Sequence, residues 1–138
     1  MYYILVYWQP SAIYEVPFFM DRDWFEYEYI ELKSFQRQIK KLCPSDDEES
    51  TIKTFVAKNR RKGDPIIGKS GIRKLRVPLG DRGTRGGARV IYYFTDDTEA
   101  FILFLMIYSK GDQEDLTPEQ EKFLLQAKEQ ELKDRHYE

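Results

Sequence analysis

Residues 100–109 read AFILFLMIYS, ten positions without a charge. A run of that length, apolar at both alternating sets of positions, is the pattern of a central strand covered on both faces of its sheet. Ala88–Thr95 (ARVIYYFT) is the second strong strand, and Asp96, Asp97, Thr98 and Glu99 between them read as a hairpin loop. The chain must therefore fold around an antiparallel hairpin and use its other segments to bury it.

Those other segments carry their own periods. Residues 25–32 (FEYEYIEL) alternate apolar residues with Glu, as a half-buried strand does. Ser34 then caps a helix with an apolar stripe at Phe35, Ile39 and Leu42, and Pro44 ends it. Ser45 with Glu48 opens a second helix with Ile52, Phe55 and Val56 on its apolar side. The two read as a helical hairpin. Residues 63–71 are a turn-rich link, and 72–77 a short strand with Lys74 and Arg76 on one side and Arg73, Leu75 and Val77 on the other. Residues 78–87 form a loop with four glycines. Thr117, Pro118 and Gln120 start a last helix with Phe123, Leu124, Ala127 and Leu132 on its buried side. The order β–α–α–β–β–β–α describes an α+β fold of two layers. A small, mainly antiparallel sheet packs against the N-terminal helical hairpin, with a C-terminal helix added and the helices on one face.

At 138 residues the chain is one domain by size. Residues 1–20 fit that domain poorly and read as an N-terminal extension, either an extra strand or a loosely attached arm, with 21–138 as the single domain. The apolar run 2–8 is far shorter than the roughly 20 residues of a spanning helix, and it has no basic flank of a signal peptide. Cys43 is the one cysteine, which excludes an internal disulfide and a Cys-based zinc cluster. A cytoplasmic protein without membrane contact is expected.

Charge is segregated. Residues 58–89 hold eleven Lys/Arg and two acids, within a chain of net charge −2. Concentrated like charge repels itself, so an anionic ligand is its natural explanation, and a solvated basic face the bland one. Several chemistries are unsupported. His136 is the only histidine, no ligand set has metal spacing, and neither GxxxxGK[ST] nor GxGxxG occurs. No cofactor or metal is expected.

Sequential antiparallel strands would bring Lys74, Arg76, Arg89 and Lys110 to one sheet edge, with Arg82 and Arg85 of the glycine loop folding over them. Such groups suit a phosphate. They could hold a nucleic-acid backbone, or stabilise the charge gained when an RNA 2′-OH attacks its own 3′-phosphate. Lys74, crowded by Arg73 and Arg76, is the candidate general base. Tyr92, Tyr93 and Tyr108 alternate on the same strands, and each reads as core packing or as a stacking or proton-transfer group.

The run GKSGIRKLRVPLGDRGTRGGARVIYYF followed by FLMIYSKGDQEDLTPEQ resembles the RelE/HigB toxins of bacterial toxin–antitoxin pairs, with the HigB-like branch nearest. The similarity covers residues 29–125. It implies a RelE-like fold and a metal-independent endoribonuclease that cuts mRNA in the ribosomal A site and so inhibits translation. It also implies a tightly bound antitoxin, a helix-turn-helix protein. The family's functional positions fall on Lys74, Arg76, Arg89 and Lys110, with Arg73, Arg82, Arg85 and Tyr93 as RNA contacts. The sequence departs from the pattern at Ile72, Thr84 and Gly111. Two other readings stay open: a non-catalytic inhibitor of DNA gyrase like the ParE cousins, and a plain RNA-binding module.

Overall fold

The computed structural model describes residues 2–6, 23–80, 87–97 and 99–135. The chain forms β1 (Tyr2–Val6), β2 (Glu28–Leu32), α1 (Lys33–Leu42), α2 (Asp46–Lys58), β3 (Asp64–Pro65), β4 (Arg73–Val77), β5 (Ala88–Thr95), β6 (Phe101–Ser109) and α3 (Pro118–Asp134). It is an α+β fold on one mixed sheet of strand order β1–β2–β6–β5–β4–β3. The uncharged run sits where its composition requires. Residues 101–108 are all buried, with β2 and β5 on either side.

Four strand pairings are antiparallel and one, β2 with β6, is parallel. The parallel pair follows from the helical hairpin. A crossover of two helices returns the chain to the end of the sheet where β2 began, so the next long strand runs the same way. Tyr2–Val6 of the extension pairs antiparallel with β2 as an edge strand. Among the described residues no helix is long and apolar enough to cross a membrane.

Side-chain contacts assign the helices to faces. Phe35 of α1 packs on Phe104, with ring centroids 5.3 Å apart, and Tyr29 meets the same ring at 5.5 Å. The Tyr92 hydroxyl donates to the Arg60 carbonyl just beyond α2 at 2.6 Å. A Cβ at Gly63 would collide with that hydroxyl, which is why the link after α2 carries glycine there. Tyr93, the next residue and so on the opposite face, lies under the Lys128 ammonium of α3 at 4.8 Å. Arg135 at the end of α3 covers Phe101 at 4.7 Å. Hence α1 and α2 cover one face and α3 the other. This corrects the expectation of helices on a single face: a strand buried on both sides needs cover on both.

Further local expectations give way. Residues 24–26 form a 3₁₀ turn, and the strand expected from residue 25 begins at Glu28. Leu32, not Ser34, occupies the N-cap of α1 and has no side-chain cap bond. Ser45 does cap α2 by accepting from the Glu48 amide. Thr117 and Gln120 form the reciprocal box at α3. Phe123, assigned to the buried side of α3, is exposed, because Leu124 and Glu131 are the residues of that helix that are buried. Across the hairpin interface Lys53 meets Glu31 at 3.2 Å, both side chains nearly inaccessible. Burial raises the Glu31 pKa above its usual value, and Lys53 pulls it part of the way back.

Candidate anion-binding cleft

The β4–β5–β6 ladder fixes the geometry. Lys74 lies opposite Ile91, and Arg76 lies opposite Arg89. Arg89 in turn lies opposite Tyr108. Residues directly opposed across antiparallel strands share a face. Arg73 and Tyr92 are opposed one step further along and therefore face the other way. So Lys74, Arg76, Arg89 and Tyr108 belong to the face that α3 covers, and Arg73 to the face of α1 and α2. Lys110 follows β6 in a turn held by Ser109 Oγ donating to Asp112 Oδ2 at 2.9 Å.

Lys74, Arg76, Arg89 and Lys110 line one cleft of about 540 Å³, together with Lys62, Asp64, Leu75, Gln113, Glu114 and Asp115. The volume falls in the range of small-ligand sites. Arg89 is 6% exposed, and its guanidinium bonds the Ala88 carbonyl at 3.3 Å. Among the described residues neither Arg76, Arg89 nor Lys110 has a carboxylate within ion-pair distance, while Lys74 Nζ is 3.9 Å from Asp115 Oδ1. A nearly buried guanidinium without a counter-ion is costly, since desolvation is repaid only by a partner. An incoming anion would supply that partner.

The four positions carried by sequence thus come together. Others do not. Arg73 donates to the Gly63 carbonyl at 2.8 Å and lies over the Phe94 ring at 5.8 Å. Tyr93 packs against Phe101 and Lys128. Arg82 and Arg85 lie outside the described residues. The basic segment itself divides. Lys58 lies over Trp24 at 5.2 Å, Arg60 over Tyr27 at 4.5 Å, and Arg61 pairs with Asp96 and stacks on Phe94. These cations stabilise the fold on the α1–α2 side, away from the cleft.

Tyr108 is buried, and among the described residues its hydroxyl has no hydrogen-bond partner. Burial raises its pKa, and the Arg89 charge works against that rise. Tyr92 is pushed up to about 12, mainly by burial. Both are therefore neutral phenols at pH 7. Cys43 is buried, and its thiol is pushed to about 11, first by that burial, so it is not a reactive group.

Sequence reasoning missed the acidic wall. Asp64 is placed by β3, which pairs it with Lys74; a two-residue strand has no readable period. Glu114 and Asp115 stand in the cleft because residues 110–117 are tied down. The Gln113 amide donates to Gln120 Oε1 at 3.0 Å and to the Asp115 carbonyl at 2.9 Å. Gln120 Oε1 also accepts from the Thr117 amide at 2.9 Å, so one side chain caps α3 and anchors the rim. The cleft therefore presents five cations against three carboxylates. Among the described residues no group of three or more His, Cys, Asp or Glu side chains is arranged to hold a metal ion. No protein-family model matches the chain.

Proposed function

We propose that this chain is a RelE/HigB-type toxin: a RelE-like fold carrying an endoribonuclease site that cuts mRNA in the ribosomal A site, in the cytoplasm, and is restrained by a helix-turn-helix antitoxin. The observation that supports the reading is the buried Arg89, without a carboxylate in ion-pair distance among the described residues, opposed to Arg76 and sharing its cleft with Lys74 and Lys110. The motif resemblance points the same way.

In this mechanism Arg89 and Arg76 grip the scissile phosphate and stabilise the second negative charge that its pentacovalent state develops. The 2′-oxygen attacks the adjacent phosphorus, and the bond to the 5′-oxygen of the next nucleotide breaks. The products are a 2′,3′-cyclic phosphate and a free 5′-hydroxyl. Lys74, reacting as its neutral amine rather than as the ammonium that pairs with Asp115, takes the 2′-hydroxyl proton, and the Lys110 ammonium donates one to the departing oxygen. No water is consumed in that step. Positioning and charge carry the rate, as they do for phosphoryl transfer generally.

Inducing the chain in bacteria and mapping mRNA ends tests the reading. New 5′-hydroxyl ends inside translated coding regions are expected, and Arg89→Ala should abolish them. Intact transcripts with continuing translation would overturn it. DNA damage without mRNA cleavage would instead favour the gyrase inhibitor.

A further inference from the structure

Helical spacing puts Phe123 on the buried side of α3, yet it is 51% exposed, the large apolar side chain that the fold leaves in water among the described residues. It borders a groove of about 650 Å³ between α3 and the start of α1. Leu32, Phe123 and Ala127 make the apolar part of the lining; Lys33, Arg37 and Lys133 surround it, with Glu129 the one carboxylate there among the described residues. Among the described residues these three cations have no carboxylate within ion-pair distance. The molecule pairs cations elsewhere: Lys53 with Glu31, Arg61 with Asp96, and Arg135 with Glu28, Glu99 and Glu131.

We infer that this groove docks an acidic amphipathic helix of a partner protein. Its length fits: residues 123 to 133 of α3 span about 15 Å at the helical rise, roughly three turns. Its chemistry fits as well. An apolar stripe at i, i+3, i+4 and i+7 would cover Phe123, Ala127 and Leu32 while flanking carboxylates met Lys33, Arg37 and Lys133. A second copy of the chain is a poor occupant, because a symmetric contact would press two cationic rims together. The groove shares no lining residue with the cleft, so the two sites can be tested separately.

The test uses the full chain and a fluorescent synthetic helical peptide of about 15 residues, with Leu at i, i+3, i+4 and i+7 and Glu at the flanking positions. Saturable binding is expected, weakened about tenfold or more by Phe123→Ser, a hot-spot-sized loss from an exposed position that should leave the melting temperature unchanged. The double reversal Arg37→Glu/Lys133→Glu should reject the Glu peptide and accept a Lys-flanked version, a gain that misfolding cannot imitate. Absence of saturable binding, equal binding of a charge-scrambled peptide, or indifference to Phe123→Ser would each overturn the proposal. So would Phe123-dependent self-association in sedimentation, which would give the groove to a second copy.

Discussion

At the scale of single residues, Arg89 separates stability from function. Its guanidinium is nearly buried and has no acidic partner among the described residues, so it bears a desolvation cost there that a ligand would relieve. Arg89→Met keeps most of the side-chain volume and removes the charge. The variant should melt at the same or a higher temperature than the parent while losing RNA cleavage by about 10²–10³-fold, the usual loss for one transition-state donor. Calorimetry and primer extension on the same preparations check both halves. Glu131 illustrates the reverse bookkeeping. It is buried on α3, its Oε2 has no partner among the described residues, and burial raises its pKa above the usual 4.5 despite the bond from Arg135. A carboxyl whose folded pKa is raised contributes stability that is present below its unfolded value and is lost as pH rises through the folded one. Glu131→Gln keeps an acceptor for Arg135 and removes the titration. Its melting temperature should therefore gain on the parent between about pH 4 and pH 7. A constant difference across that range would refute the assignment.

At the scale of elements, α3 is legible at its start and misleading along its length. Thr117, Pro118 and Gln120 announce the helix because capping is local chemistry, settled within four residues. Which side it buries is not local. It depends on α3 crossing the face opposite α1 and α2, which the element order alone does not specify, and Phe123 fell on the wrong side for that reason. The same division runs through the cleft. Lys74, Arg76, Arg89 and Lys110 were legible because strand alternation and hairpin register are short-range rules. Asp64, Gln113, Glu114 and Asp115 were not, because a two-residue strand and a pair of glutamines fix them. Gln120 joins the two lessons. Gln120→Ala should cost about 1 kcal/mol of stability through the lost cap, read by urea denaturation. It should also release residues 110–117, seen as faster amide exchange at Asp112 and Gln113, whose N–H groups donate to the Ser109 carbonyl. Normal protection there would mean the rim does not depend on the Gln113–Gln120 pair.

At the scale of the whole molecule, the charge imbalance is real but divided. Lys58, Arg60, Arg61 and Arg73 are spent on rings and carbonyls of the α1–α2 side, whereas Lys62, Lys74, Arg76 and Arg89 share the cleft with Lys110. A count of basic residues therefore overstates the binding surface. If four cations meet phosphates of a single strand, log affinity should fall with log salt at a slope of about −3, and Arg76→Ala should flatten it by about 0.7. Anisotropy titrations with an RNA blocked at its 2′-hydroxyls measure this, and a slope near zero would remove the phosphates from the picture.

The seam between β2 and β6 sets Ile30 beside Leu103. A nascent chain leaving the ribosome cannot close that seam until β6 has been made, some seventy residues after β2, because contacts so remote in sequence form late. Before then the cleft has no floor behind Arg89 and the sheet has no centre. A fragment ending at residue 97 should show no cooperative melt and should be digested as an unfolded chain. A cell making this protein would therefore meet its cationic pocket only once β6 has left the ribosome, never in copies that stop short of it.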